Sequence, residues 1–308
     1  MKMGIGITHF PWPADQIGPV VTRLATLADQ AGFDDLWVMD HFFQIRVSGL
    51  PPESPMPEAY ATLAYLGGVT RRIRLGTLVT SVAYRHPGVL VKAVTSLDVL
   101  TGGRVIFGVG AGAPWNVAPA GPGTTFEAEG LGIPFPSLAE RFERLEELLQ
   151  IAHQMWRGDE SPYRGRHYQM ARPLNSPNSL QRPHPPILIG GSGEQKTLRL
   201  VARYADACNL FDLPNPQFRD DLARKLRILA EHCAAEGRDY AEIAKTVTTS
   251  FDLRQDRQDR QAGLAELVGH IRELAAVGLE HVLISPRQGW DQATLEAIAS
   301  VLPEVHAI

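Results

Sequence analysis

Short, nearly continuous apolar runs alternate along this chain with longer stretches whose apolar positions return every three or four residues. The clearest instance lies in residues 71–112. There IRLGTLVTSV (73–82) is β-branched and apolar enough to be buried on both faces, as parallel strands are, and it ends in Thr80, Ser81 and Val82. The helical pattern HPGVLVKAVTSLDVLTGG follows, with Pro87 in its first turn and Gly102-Gly103 past its end, the usual start and stop signals. A second buried strand, RVIFGVGAG (104–112), comes next. Crossovers of this kind bind ligands at the carboxyl ends of their strands. Candidate chemistry therefore falls near Ser81 and Gly110.

The same unit recurs. Further strand candidates are MGIGITHF (3–10), DDLWVMDHF (34–42), PILIGGSG (186–193), DACNLF (206–211), KTVTTSF (245–251) and HVLISP (281–286), eight in all with the two above. Helical patterns fill 15–31, 58–70, 137–156, 194–204, 216–236, 262–277 and 291–301. Eight alternations predict an α/β fold, a closed (β/α)8 TIM barrel. Such a barrel needs about 250 residues, so a chain of 308 is expected to be one domain over 1–308. The excess goes into insertions at 43–56, 113–136 and 157–185, all rich in Pro, Gly or polar residues.

Composition mainly excludes. A formal charge of −4 supplies no basic field for nucleic acid, and the run at 254–260 alternates Arg with Asp, the pattern of a solvated loop. Cys208 and Cys233 are the two cysteines; their spacing suits neither a disulfide framework nor a metal cluster, and a reducing cytoplasm suits both. No apolar run has the length of a membrane span or a secretory leader. The expectation is a cytoplasmic protein with a small-molecule partner, without metal, nucleic acid or membrane.

Among chemical groups, Asp40-His41-Phe42 stand out because they end a barrel strand. Imidazole titrates near neutrality, so His41 there can take or give a proton, and Asp40 reads as a hydrogen-bond acceptor that orients the loop. His9 ends the first strand and is a second candidate, lining a substrate space with Trp12. GVGAG (108–112) and GGSGEQKT (190–197) also end strands. Exposed amides where a strand turns into a helix bind anions, and glycine lets a phosphate approach the backbone. Neither segment has the spacing of a dinucleotide fingerprint or a Walker loop.

Taken together, VMDHFFQ (38–44), RIRLGTLVTSVAYRHPGVLVK (72–92), LDVLTGGRVIFGVGAG (97–112), GIPFPSLAERFERLEE (132–147) and PHPPILIGGSGEQKTLRLVARYADACNLF (183–211) resemble the bacterial luciferase-like flavin and deazaflavin superfamily. The likeness is to its oxidoreductases that use coenzyme F420. It implies hydride transfer between bound F420 and an organic substrate, His41 serving as proton donor or acceptor, in a homodimer. It further implies that Asp40 and His41 meet the deazaflavin ring, and that Thr80, Ser81 and Val82 form a strand-end bulge behind it with a non-prolyl cis peptide at Ser81-Val82. Gly110, Ala111 and Gly112 would run along the cofactor side chain. Gly190, Gly191, Ser192, Gly193, Lys196 and Thr197 would hold its phosphate. An FMN-dependent monooxygenase using reduced flavin and O2 is the alternative, but FMN enzymes of this type often place an arginine where this chain has Ala111. Sugar-phosphate dehydrogenases of the group carry a glutamate after this turn; here 113–116 read APWN, which speaks against glucose-6-phosphate. Trp115 and Phe126, in the insertion, are candidates to shape an apolar substrate pocket.

Overall fold

The apolar runs close into a ring because each is covered on both sides. The computed structural model describes residues 1–45, 50–112, 124–212, 217–253, 257–287 and 289–308, excepting the side chains of 124–126 and 257–259. The barrel strands are β1 (Lys2–Ile7), β2 (Asp35–Val38), β3 (Arg74–Thr77), β4 (Thr80–Ser81), β5 (Val105–Gly110), β8 (Ile187–Gly190), β9 (Ala207–Phe211), β10 (Ala244–Phe251) and β11 (His281–Pro286). Every residue of β2, β5 and β11 is buried, since helices cover the outside and side chains fill the inside. The order β3-β2-β1-β11-β10-β9-β8-β5-β4 is closed by pairing of β3 with β5. All of these barrel pairings are parallel. With β3 and β4 as two segments of one position, this is the (β/α)8 TIM barrel.

Around it lie α1 (Ala14–Ala31), α2 (Ala59–Val69), α3 (Pro87–Thr101), α5 (Leu138–Trp156), α6 (Thr197–Tyr204), α7 (Phe218–Glu236), α8 (Arg257–Val277) and α9 (Gln292–His306). The signals around α3 act as read: Pro87 opens it, the His86 side chain caps the Gly88 amide, and Gly102 closes it in the left-handed region at φ 72°. Two insertions contain structure of their own. Residues 113–136 include α4 (Thr124–Gly130), and 157–185 include an antiparallel hairpin of β6 (Tyr163–Arg164) and β7 (Gln169–Met170). The charge run expected to be a loop instead enters α8 at Arg257, because Arg and Gln are good helix formers and tolerate a first turn.

The strand-end irregularity is present but displaced. The non-prolyl cis peptide is Leu78-Val79, not Ser81-Val82. At Ser81 the strand is already back in register, paired with Gly110, and the Val82 amide still donates to the Gly110 carbonyl at 3.0 Å. The break falls where the chain leaves β2, to which Leu78 N–H still donates through the Val38 carbonyl. Leu78 and Val79 pack on a separate inner cluster of Trp37, Ile106, Leu188, Ala207 and Leu283. Room for this crossing comes from glycine: a Cβ on Gly108 would stand 1.8 Å from the Thr77 carbonyl oxygen, and one on Gly190 would stand 2.8 Å from Val79 Cγ1.

Candidate active site

The loops leaving β2 and β4 carry one connected polar network. Arg85 grips Asp40 with both ends of its guanidinium, Nη1 to Oδ2 at 2.5 Å and Nη2 to Oδ1 at 2.9 Å. The same guanidinium donates to Glu58, the capping residue of α2, and lies 4.8 Å over the Tyr60 ring and 5.6 Å from the Phe42 ring centre. Tyr60 hydroxyl meets Thr80 Oγ1 at 2.9 Å, and Thr80 Oγ1 donates to Thr77 Oγ1 at 3.0 Å. Burial alone would lower the Arg85 pKa, but Asp40 outweighs it and pushes it up. Tyr60 is pushed up by burial and by the Asp40 charge. Arg85 is thus a fixed cation and Tyr60 a fixed neutral phenol.

His41 belongs to a different carboxylate. Its Nδ1 lies 2.7 Å from Glu127 Oε2, which also accepts from the Tyr84 hydroxyl at 2.8 Å. Glu127 Oε1 accepts from the Phe42 and Phe43 amides at 2.7 and 2.8 Å. Glu127 comes from α4 and is 1% exposed. Its burial would raise the pKa, yet the hydrogen bonds from His41, Phe43 and Tyr84 prevail and hold it below the ordinary carboxylate value. A carboxylate that accepts several hydrogen bonds is favoured in its charged form. Burial and the same negative charge push Tyr84 up.

The glycine turns lie across β5 and β8. Gly110 and Gly190 both lie against Val79, whose Cγ2 would meet a Cβ on either one at 3.0 Å. Gly112, at φ 75°, lies against Ser81, and the Ser81 hydroxyl accepts from the Ala83 amide at 3.3 Å. Arg141 of α5, though 3% exposed, clamps this turn: Nε donates to the Ala111 carbonyl at 2.9 Å, Nη2 to Gly112 at 3.4 Å and Nη1 to Pro136 at 2.7 Å. After β8, Gly191 has φ 123°, and Gly193 stands against Thr197 Oγ1. Among the described residues, the amides of Ser192, Gly193 and Glu194 have no backbone acceptor. Lys196 precedes α6, which starts three residues later than expected, and its Nζ lies 5.3 Å over the Phe142 ring.

The structure brings together Asp40, Thr80 and, through Val79, Gly110 and Gly190. It joins His41 to none of these by a hydrogen bond in the network above. His9 is buried with Nδ1 3.0 Å from Thr8 Oγ1 and its ring beneath Gly289, on the β1–β11 side. Trp12 packs edge-on to Phe10 at 6.2 Å. Trp115 and the Phe126 side chain lie outside the described residues. Sequence reading missed Glu58, Tyr60, Tyr84, Arg85, Glu127 and Arg141. For Arg85 a signal existed, since Tyr84-Arg85 directly follow the strand end that had been singled out. Glu127 had a weaker one, Thr124-x-x-Glu127, the pattern of a helix start.

A parallel barrel with a histidine, a buried carboxylate and glycine-rich turns at the carboxyl ends of its strands is the layout of a TIM-barrel enzyme. Residues 1–301 match the luciferase-like monooxygenase family model, and the chain belongs to that family. It is 32% identical over 252 residues to the F420-dependent glucose-6-phosphate dehydrogenase of Nakamurella multipartita, covering 79% of this chain and 67% of that one. To the enzyme of the same name from Beutenbergia cavernae it is 32% identical over 295 residues, 94% of this chain and 78% of the relative. Alignments with others of that name span as little as 52% of their length. An F420-dependent secondary alcohol dehydrogenase, in complex with an F420-acetone adduct, shares the fold with a TM-score of 0.79 at 15% identity, over 99% of this chain and 98% of that one.

Proposed function

We propose that this chain is an F420-dependent oxidoreductase that moves a hydride between the cofactor and a small organic substrate, with His41 as proton donor or acceptor. The observation that carries the reading is the His41–Glu127 pair at the mouth of the barrel, an imidazole backed by a buried carboxylate. The cofactor follows from the F420-dependent relatives that align over most of this chain. The residues fit such a group. Its phosphate would meet the open amides of Ser192, Gly193 and Glu194, with Lys196 beside them. Its side chain would pass Gly110, Ala111 and Gly112, a turn held rigid by Arg141.

When bound, F420 supplies or accepts the hydride. The protein's part is orientation and proton traffic. His41 exchanges the proton that accompanies the hydride at the substrate oxygen or carbon. Asp40, with both oxygens on Arg85, keeps the β2 loop in place beside the floor formed by Leu78 and Val79. Glu127 reaches His41 from later in the insertion, with both of its oxygens engaged within the protein. The proposed substrate class is a compound with a carbinol or carbonyl carbon, the pair that a hydride and a proton interconvert.

Titration of F420 and of FMN into the apoprotein tests the reading, with His41→Ala as its second arm. F420 binds at least about tenfold more tightly, equivalent to about 1.4 kcal/mol. His41→Ala keeps that affinity and loses about 10²–10⁴-fold in turnover, the usual weight of a general acid-base group. Tighter binding of FMN would overturn the cofactor assignment, and unchanged turnover in His41→Ala would overturn the role of His41.

A further inference from the structure

We infer that Glu127 is a positioning residue for His41: it fixes the imidazole with its proton on Nδ1 and leaves Nε2 as the atom that exchanges protons in the site. The inference rests on the functional reading above for its purpose, but not for its geometry. An ionised carboxylate only accepts hydrogen bonds. All four groups within hydrogen-bond reach of Glu127 in this network must therefore donate: the Phe42 and Phe43 amides to Oε1, and the Tyr84 hydroxyl and His41 Nδ1 to Oε2. In a neutral imidazole one nitrogen carries the proton and the other a lone pair. With Nδ1 committed as donor, the lone pair is on Nε2.

The alternative tautomer would set a lone pair against a buried carboxylate oxygen at 2.7 Å. It would also forfeit a hydrogen bond to a charged group, a preference of roughly tenfold to a hundredfold for Nδ1–H. Glu127 does more than tie down a loop. Oε1 alone ties the loop, through two successive amides. Oε2 is spent wholly on side chains, and Tyr84, whose pKa burial and the Glu127 charge push up, stays a donor to that oxygen throughout. Asp40 cannot do this work although it adjoins His41 in sequence, because Arg85 takes both its oxygens. The groups around the pair are Tyr84 from the loop after β4 and Phe42 and Phe43 from the loop after β2, with the Asp40 and Arg85 charges acting on Tyr84.

The test is nitrogen-15 NMR of the cofactor-free full chain at alkaline pH, where the ring's own nitrogen shifts report it neutral. Long-range proton–nitrogen correlations distinguish protonated from bare ring nitrogens, and the His41 signals among those of ten histidines are those lost in His41→Gln. The expected wild-type spectrum has protonated Nδ1 and bare Nε2. Glu127→Gln, which offers one acceptor oxygen where four donors converge, shifts that signature toward the other tautomer. It also lowers kcat by roughly 10²-fold or more, as mis-set tautomers do, while F420 affinity stays within about threefold. Tyr84→Phe keeps the carboxylate and the Nδ1–H signature. A wild-type ring protonated on Nε2, or a Glu127→Gln variant with unchanged signature and kcat, would overturn the inference. Should Glu127→Gln fail to fold, the wild-type and Tyr84→Phe spectra still decide it. If F420 does not bind, the cofactor reading fails while the tautomer result stands by itself.

Discussion

Replacing Asp40 with asparagine separates a structural charge pair from a surface one. The substitution keeps volume and one acceptor oxygen, so no cavity forms, and what changes is the charge facing Arg85. The Asp40 side chain is 0% exposed and that of Arg85 14%. Breaking a buried pair from one side costs about 3–5 kcal/mol, because the remaining charge is left without compensation. Here two features soften the loss. Glu58 keeps its bond to Arg85, but it is 37% exposed, and a bridge of that kind contributes no more than about 1 kcal/mol. The Tyr60 and Phe42 rings add cation–π attraction of about 0.5–2 kcal/mol. The expected loss is therefore about 2–3 kcal/mol. Urea unfolding of the wild type, Asp40→Asn, Arg85→Met and the double variant, at constant m, gives the coupling as the failure of the two single losses to add. That coupling should be about 2 kcal/mol, and it should survive 1 M salt, since buried pairs are little screened. A coupling well under 1 kcal/mol, or one abolished by salt, would refute the account of Arg85 as the buried tie between the β2 and β4 loops.

Two other expectations concern packing and pH. Gly190→Ala places a Cβ 2.8 Å from Val79 Cγ1 and should cost about 1–3 kcal/mol as overpacking; adding Val79→Ala should restore most of the lost thermal midpoint, and a double variant no better than the single would show that the contact is not the cause. His270 Nε2 lies 2.6 Å from Asp212 Oδ2, and this bond, against the effect of burial, raises the His270 pKa above its ordinary 6.5. Its contribution to stability is thus full below about pH 6.5 and is lost as pH rises through the higher folded value. Urea midpoints measured from pH 6 to 9 should fall less in His270→Gln than in the wild type, and equal slopes would count against the pair.

The barrel was legible because strands buried on both faces leave nearly unbroken apolar runs, and α3 was legible because Pro87 and the Gly102-Gly103 pair bracket it. The hairpin of β6 and β7 was not, since two residues per strand are too few to show a period. Nor was the position of the strand break. Leu78-Val79 continue the same apolar run as Ile73–Thr77, and the requirement for a crossing is written across the ring, in the Cβ-free surfaces of Gly108, Gly110 and Gly190. Candidate chemistry at 40–41 followed from place alone, the end of a barrel strand. The partners did not, because Arg85 and Glu127 lie 45 and 86 residues away from the groups they hold. No local pattern encodes a contact at that separation.

Adjacency in sequence suggests that Asp40 and His41 act as an acid–base pair, and the geometry argues otherwise. The loop turns Asp40 inward to Arg85 and His41 toward Glu127 of α4. Each then meets a partner suited to a different task. Arg85 stays charged at any pH the protein experiences, and its two bonds to Asp40 make a strut between two loops. Glu127, held below the ordinary carboxylate value, stays a charged acceptor for the imidazole beside it. In the role proposed for His41, the group that exchanges protons is therefore backed by a carboxylate that stays charged. Exchanging Arg85 and His41 would lose both arrangements, because an imidazole at Arg85's place could not span both oxygens of Asp40 as the guanidinium does, and a guanidinium beside Glu127 could not serve in the proton-exchanging role proposed for His41.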